Sequence, residues 1–73
     1  MANRIAPSAD VSEDAVLGDG TSIWNLAQVR EHAVLGRDCI VGRGAYIGEG
    51  VVMGNSCKVQ NYALVYEPAR LAD

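Results

Sequence analysis

Ala15-Val16-Leu17-Gly18 recurs unchanged as Ala33-Val34-Leu35-Gly36, and eighteen residues later the same slot reads Val51-Val52-Met53-Gly54. Working outward from this triplet, every sixth residue from Ile5 is aliphatic or Met: Ile5, Val11, Leu17, Ile23, Val29, Leu35, Val41, Ile47, Met53, Val59, Val65 and Leu71. Ile, Leu, Val and Met together fill 20 of 73 positions. Twelve hits in a row, allowing for six frames, therefore have a chance probability of roughly one in a million, and the period is real.

Four places after each large residue stands a small or β-branched one, from Ala9 and Ala15 through Thr21, Cys39, Val51 and Cys57 to Ala63 and Ala69. The eight glycines fall either one place (Gly18, Gly36, Gly42, Gly48, Gly54) or three places (Gly20, Gly44, Gly50) after an aliphatic. This is the pattern of a very short strand with one large and one small inward residue, followed by a turn in which glycine or a small polar residue accepts an unusual backbone angle. A six-residue unit cannot bury its own apolar side, so the units must coil and stack into a solenoid. The superimposed period of eighteen makes three units per coil the expectation.

Size and charge restrict the function. A chain of 73 residues folding alone buries only about three-fifths of its unfolded surface. Two cysteines and one histidine offer little for disulfide or metal stapling, which leaves association between chains as the expected remedy. The aliphatic residues are spread evenly, with no long apolar run and no secretory leader pattern, and the reading is a reduced, cytoplasmic protein. A net charge of −3 gives no global attraction to nucleic acid or to an anionic membrane, and neither is expected as a partner.

The eighteen-residue frame also sorts outward residues by face. Val16, Val34 and Val52 form one apolar column beside Gly18, Gly36 and Gly54, and exposed columns of this kind mark interfaces. Cys39 and Cys57 take equivalent inward places in neighbouring coils, about 4.8 Å apart at the backbone. That separation lies within reach of a disulfide, but the small inward slots are elsewhere filled by Ala, which favours buried reduced thiols.

Few residues carry chemistry. His32 occupies a place held by glycine in other units, the place of a turn residue, although an imidazole there can also serve as a general base. One histidine per chain makes a three-imidazole metal centre improbable, and no metal is expected. Gly42-Arg43-Gly44 contains Gly-x-Gly, but the hexad rule accounts for its glycines and no helix follows to bind a phosphate. The polar and aromatic residues that the repeat does not require gather on one face: Trp24 and Asn25, then Arg43, then Gln60, Asn61 and Tyr62. Trp24, Gly42 and Gln60 share one column and Asn25, Arg43 and Asn61 the next. An indole beside amides and a guanidinium suits a planar or phosphorylated ligand.

The aliphatic, the frequent following glycine and the small fifth residue resemble the hexapeptide repeat of left-handed parallel β-helix proteins. That resemblance implies an all-β fold, with residues 5–73 forming a single domain of about four three-sided coils. More narrowly, Thr21-Ser22-Ile23-Trp24, Val29-Arg30-Glu31, Cys39-Ile40-Val41-Gly42, Lys58-Val59-Gln60-Asn61 and Val65-Tyr66-Glu67 resemble the opening coils of bacterial N-acetyltransferases acting on amino groups of nucleotide-linked sugars. The chain has Asn25, Arg43 and Tyr62 where that family more often has His, Gln and Asn.

The resemblance implies acetyl-CoA as co-substrate, a nucleotide sugar as acceptor, and active sites between the subunits of a homotrimer. Trp24, Asn25, Gln60 and Asn61 would contact substrate, Val16, Val34 and Val52 the neighbouring subunit, and His32 and Asn25 stand as candidate catalytic groups. In the family the catalytic amide lies in later coils, so the chain, breaking off in mid-hexad at Leu71-Ala72-Asp73, is expected to lack further C-terminal coils and to be inactive alone. The competing expectation is a non-catalytic β-helix used for assembly or protein binding.

Overall fold

The structure is a computed structural model that describes residues 3–66 and the strand Arg70–Leu71. It holds twelve two-residue strands and, among the described residues, no helix. They form three parallel sheets. Sheet A contains β1 (Arg4–Ile5), β4 (Ser22–Ile23), β7 (Ile40–Val41) and β10 (Lys58–Val59); sheet B contains β2 (Asp10–Val11), β5 (Gln28–Val29), β8 (Tyr46–Ile47) and β11 (Leu64–Val65); sheet C contains β3 (Val16–Leu17), β6 (Val34–Leu35), β9 (Val52–Met53) and β12 (Arg70–Leu71).

Each strand pairs with the one three strands later, and every pairing joins residues eighteen apart, as in Ile23 with Val41 and Val16 with Val34. The structure is thus a three-sided parallel β-solenoid, consistent with a left-handed β-helix built from hexads. Ala69 and residues 72–73, the last small position and the chain end, lie outside the described residues.

The inward column of the sequence is the core. Ile23, Val29, Leu35, Val41, Ile47, Met53 and Val59 are buried, and the small residues Ala27, Ala33, Cys39, Ala45, Val51 and Cys57 are buried between them. Each large side chain contributes about 1.5–3 kcal/mol on burial, and in a solenoid that gain accrues only where a neighbouring coil lies above and below. Ile5, in the first coil, shows the converse: it points inward yet remains 47% exposed.

Three corners join the sheets. The turn after sheet A (the A corner) is residues 7–8, 25–26, 43–44 and 61–62 in successive coils, that after sheet B is 13–14, 31–32 and 49–50, and that after sheet C is 19–20, 37–38 and 55–56. From residue 19 on, the second residue of each of these turns has positive φ, with glycine at Gly20, Gly44 and Gly50 but Leu26, His32, Asp38, Ser56 and Tyr62 elsewhere, whereas Ser8 and Asp14 in the first coil do not.

The glycines one place after the aliphatic serve another purpose than the turn angle expected from sequence. None of Gly18, Gly36, Gly42 and Gly48 has positive φ; the next coil lies too close for a side chain at Gly18, Gly36 and Gly42 and crowds one at Gly48. A Cβ on Gly36 would come within 2.7 Å of the Gly54 carbonyl carbon, and one on Gly42 within 2.7 Å of the Asn61 amide nitrogen.

The C corner is built differently from the other two. At the A and B corners the small residue donates its amide across its own turn, as in Ala27 N to Trp24 O at 3.3 Å and Ala33 N to Arg30 O at 3.3 Å. At the C corner Thr21 N donates instead to Asn3 Oδ1 at 3.2 Å, and Cys39 N to Thr21 Oγ1 at 3.3 Å. The Thr21 hydroxyl then donates to Gly36 O at 2.8 Å and the Cys39 thiol to Gly54 O at 3.1 Å. Neither cysteine is in a disulfide and both are buried; burial pushes the Cys39 thiol above its ordinary pKa, a rise that a hydrogen bond with the Cys57 backbone partly offsets. Cys39 is therefore a small core residue that also donates a hydrogen bond.

Candidate ligand-binding site

At the A corner the backbone is held between coils while the side chains face outward. Trp24 N donates to Val41 O at 3.0 Å and Gly42 N to Val59 O at 2.9 Å. The bonding continues around the turn itself, where Gly44 N donates to Asn25 O at 2.9 Å and Tyr62 N to Arg43 O at 2.8 Å. With main-chain groups satisfied coil to coil, the side chains of Trp24, Asn25, Arg43, Gln60, Asn61 and Tyr62 are all exposed. Trp24 is 52% exposed, an unusual state for a large apolar ring.

Trp24 separates two depressions. On one side it meets Gln60, Asn61, Lys58 and Ile40 around the bare backbone of Gly42, enclosing about 220 Å³. On the other it meets Asn25, Ser22, Asn3 and Arg4 around about 430 Å³. The first exists because Gly42 interrupts a column that carries Trp24 below and Gln60 above. Of the four residues expected from sequence to contact a substrate, Trp24 borders both depressions, Gln60 and Asn61 border one, and Asn25 borders the other.

Asn61 has a structural duty as well. Its Oδ1 accepts a hydrogen bond from Arg43 N at 2.9 Å, the same contact that Asn55 Oδ1 makes with Arg37 N at 2.8 Å on the C corner. What Asn61 can offer a ligand is therefore its amide nitrogen. Lys58, Ile40 and Arg4 were not singled out as site residues from the sequence, yet the signal was present: residues 4, 22, 40 and 58 form the outward column of sheet A.

The two candidate catalytic groups do not meet. His32 is exposed on the corner after sheet B, with φ 64°, a conformation that His tolerates better than most residues, whereas Asn25 lies on the A corner. Near His32, Arg30 pairs with Glu31 at 3.0 Å and with Asp10 at 3.1 Å. The Glu31 carboxylate sits below its ordinary pKa, first through a bond from its own backbone amide and then through Arg30. Among the described residues no three His, Cys, Asp or Glu side chains assemble as a possible metal site.

The pattern described as bacterial transferase hexapeptide (six repeats) matches residues 14–49 and again residues 32–67. The chain belongs to the bacterial hexapeptide transferase family. The two matches overlap and are offset by one eighteen-residue coil, so the family repeat spans the buried core and the depression over Gly42, while Asn3 and Arg4 of the other depression precede it. Comparison with curated proteins gives no significant match.

In this hexapeptide-repeat chain the apolar column also falls where the frame put it. Val16 pairs with Val34 and Val34 with Val52 on the outer face of sheet C, and Val16 and Val34 are 57% and 40% exposed. No helix among the described residues is long and apolar enough to cross a membrane.

Proposed function

We propose that this chain forms the N-terminal β-helix part of an acetyl-CoA-dependent N-acetyltransferase that acts on an amino group of a nucleotide-linked sugar in the cytoplasm. The observation that carries the reading is the A corner, where Trp24, Gln60 and Asn61 surround a depression on an outer surface otherwise made of short strands and tight turns. Membership in the hexapeptide transferases supports acyl transfer as the chemistry, and an exposed indole flanked by amides supports a flat, polar acceptor.

In this reading the A corner holds the sugar nucleotide, Asn25 contacts it from the second depression, and the valine column of sheet C joins three subunits, between which acetyl-CoA binds. Transfer then depends on holding the amine against the thioester and removing its proton, so positioning supplies much of the rate. No group of this chain is assigned as the base, since His32 and Asn25 lie on different corners.

The test is a thermal-shift titration with a UDP-amino sugar and with acetyl-CoA. The reading expects a sugar-nucleotide response that disappears in Gln60→Ala and Asn61→Ala, while a chain that responds to neither compound is no transferase. A non-catalytic assembly module is the second reading, favoured by the Val16–Val34–Val52 column, exposed at Val16 and Val34; stable trimers by light scattering with no ligand response would establish it.

A further inference from the structure

Charge is segregated around the solenoid in a way that net charge conceals. The chain carries −3 overall, yet none of the acidic residues among those described lies on sheet A or at its corner: Asp10 is on sheet B, Glu13, Asp14, Glu31 and Glu49 are at the corner after sheet B, and Asp19 and Asp38 are at the corner after sheet C. Sheet A and the A corner carry Arg4, Arg43 and Lys58 instead. Of the cations elsewhere, Arg30 is engaged by two carboxylates. An acidic protein has thus kept one face free of carboxylates, and Trp24 stands in the middle of that face.

We propose that the notch over Gly42 is the phosphate half of the binding site: Lys58 takes the diphosphate of a nucleoside diphosphate while the flat base lies against Trp24. The inference rests on reading the A corner as the ligand-binding surface and adds which group of the ligand goes where. Lys58 and Trp24 border the same depression, whose floor is bare backbone at Gly42, so an anion can come close to the ammonium group and the indole together. A lysine ammonium supplies three donors and a compact charge suited to phosphate oxygens, and Arg43 on the adjoining turn adds a second cation. Indole faces stack on any nucleobase, and the Gln60 and Asn61 amides are left for polar groups of the base or sugar.

Trp24 is the only tryptophan, so its emission reports on the notch directly. The experiment titrates the protein with UDP, uridine and inorganic pyrophosphate, in the natural sequence, in Lys58→Gln and in Arg37→Gln, a cation of the C corner that serves as the control. UDP is expected to change Trp24 emission saturably, to bind at least about tenfold tighter than uridine, and to be displaced by pyrophosphate. Lys58→Gln is expected to erase the advantage of UDP over uridine while leaving uridine unchanged, and Arg37→Gln to leave both unchanged. Equal binding of UDP and uridine, or equal loss in the two variants, overturns the proposal. If a UDP-amino sugar still binds in a Gln60- and Asn61-dependent way while Lys58→Gln leaves UDP binding undiminished, the phosphate notch fails while the sugar-nucleotide reading of the A corner stands. Lys58-dependent UDP binding with no response to any UDP-amino sugar upholds the notch and removes that reading.

Discussion

The A corner and the C corner are made from the same hexad, and they use their polar atoms in opposite directions. At the C corner the hydrogen-bonding atoms of Thr21 and Cys39 point inward and tie one coil to the next. At the A corner the corresponding inward slots hold Ala27, Ala45 and Ala63, the turn closes on its own backbone, and the polar side chains are on the outside. A corner that stabilises itself through the main chain leaves its side chains available for a ligand. The difference teaches where to look in a repetitive fold: at the corner where outward residues such as Trp24 and Gln60 are not needed by the architecture, even though Asn61 there also ties one coil to the next.

Substitutions can break this contrast. The largest effect is expected for Gly36→Ala at the C corner, where the new methyl meets backbone atoms of Gly54 and Asn55 that cannot swing aside; the loss should be about 3 kcal/mol in urea unfolding. Next comes Thr21→Val, which keeps the volume but removes the donor to Gly36 O and the acceptor for Cys39 N in a fully buried setting. A loss of about 2 kcal/mol is expected by the same measurement, and a loss below about 0.5 kcal/mol would mean that the C corner is not held from within.

The A corner should behave in the opposite sense. Leu26 holds φ 62° while 53% exposed, a left-handed conformation that disfavours a branched side chain. Leu26→Gly is therefore expected to raise stability by about 0.5 kcal/mol, after the entropy lost by glycine is set against the relieved strain. Gln60→Ala should leave stability within about 0.5 kcal/mol and act on ligand binding alone.

The smallest effect concerns pH. Because burial raises the Cys39 thiol pKa, its contribution to stability is present in full below the ordinary thiol value of about 8.5 and is lost as pH rises through the raised folded value. Thermal unfolding should show a shallow alkaline decline that flattens in Cys39→Ala. Glu31 runs the other way: its lowered pKa places its contribution above the ordinary carboxylate range, to be lost in acid as pH falls through the lowered value.

The solenoid was legible because its period is written in one residue class: the inward column from Val11 to Val65 is continuous in the sequence and runs inside the structure. The outward columns were legible by the same arithmetic, which is how Trp24, Gln60 and Asn61 came together. What the period does not encode is the reason for each exception. Glycine at 18, 36, 42 and 48 was read as a turn requirement, whereas its cause is a neighbouring coil eighteen residues away, a contact invisible within one hexad. The hydrogen bonds of Thr21 and Cys39 were hidden in the same way, since both residues fit a rule about size. Lys58 was overlooked because a strand lysine resembles ordinary surface charge until the absence of carboxylates around it is mapped in three dimensions.

The central claim is that the sugar nucleotide binds at the A corner and not on the outer face of sheet C. Backbone and indole NMR shifts of the uniformly labelled protein, followed during addition of a UDP-amino sugar, test it most directly. The account predicts saturable shifts concentrated on the Trp24 indole and the amides of Gly42, Arg43 and Asn61, with sheet C unmoved. Shifts centred on Val16, Val34 and Val52, or a ligand that moves no resonance at the A corner, would contradict it.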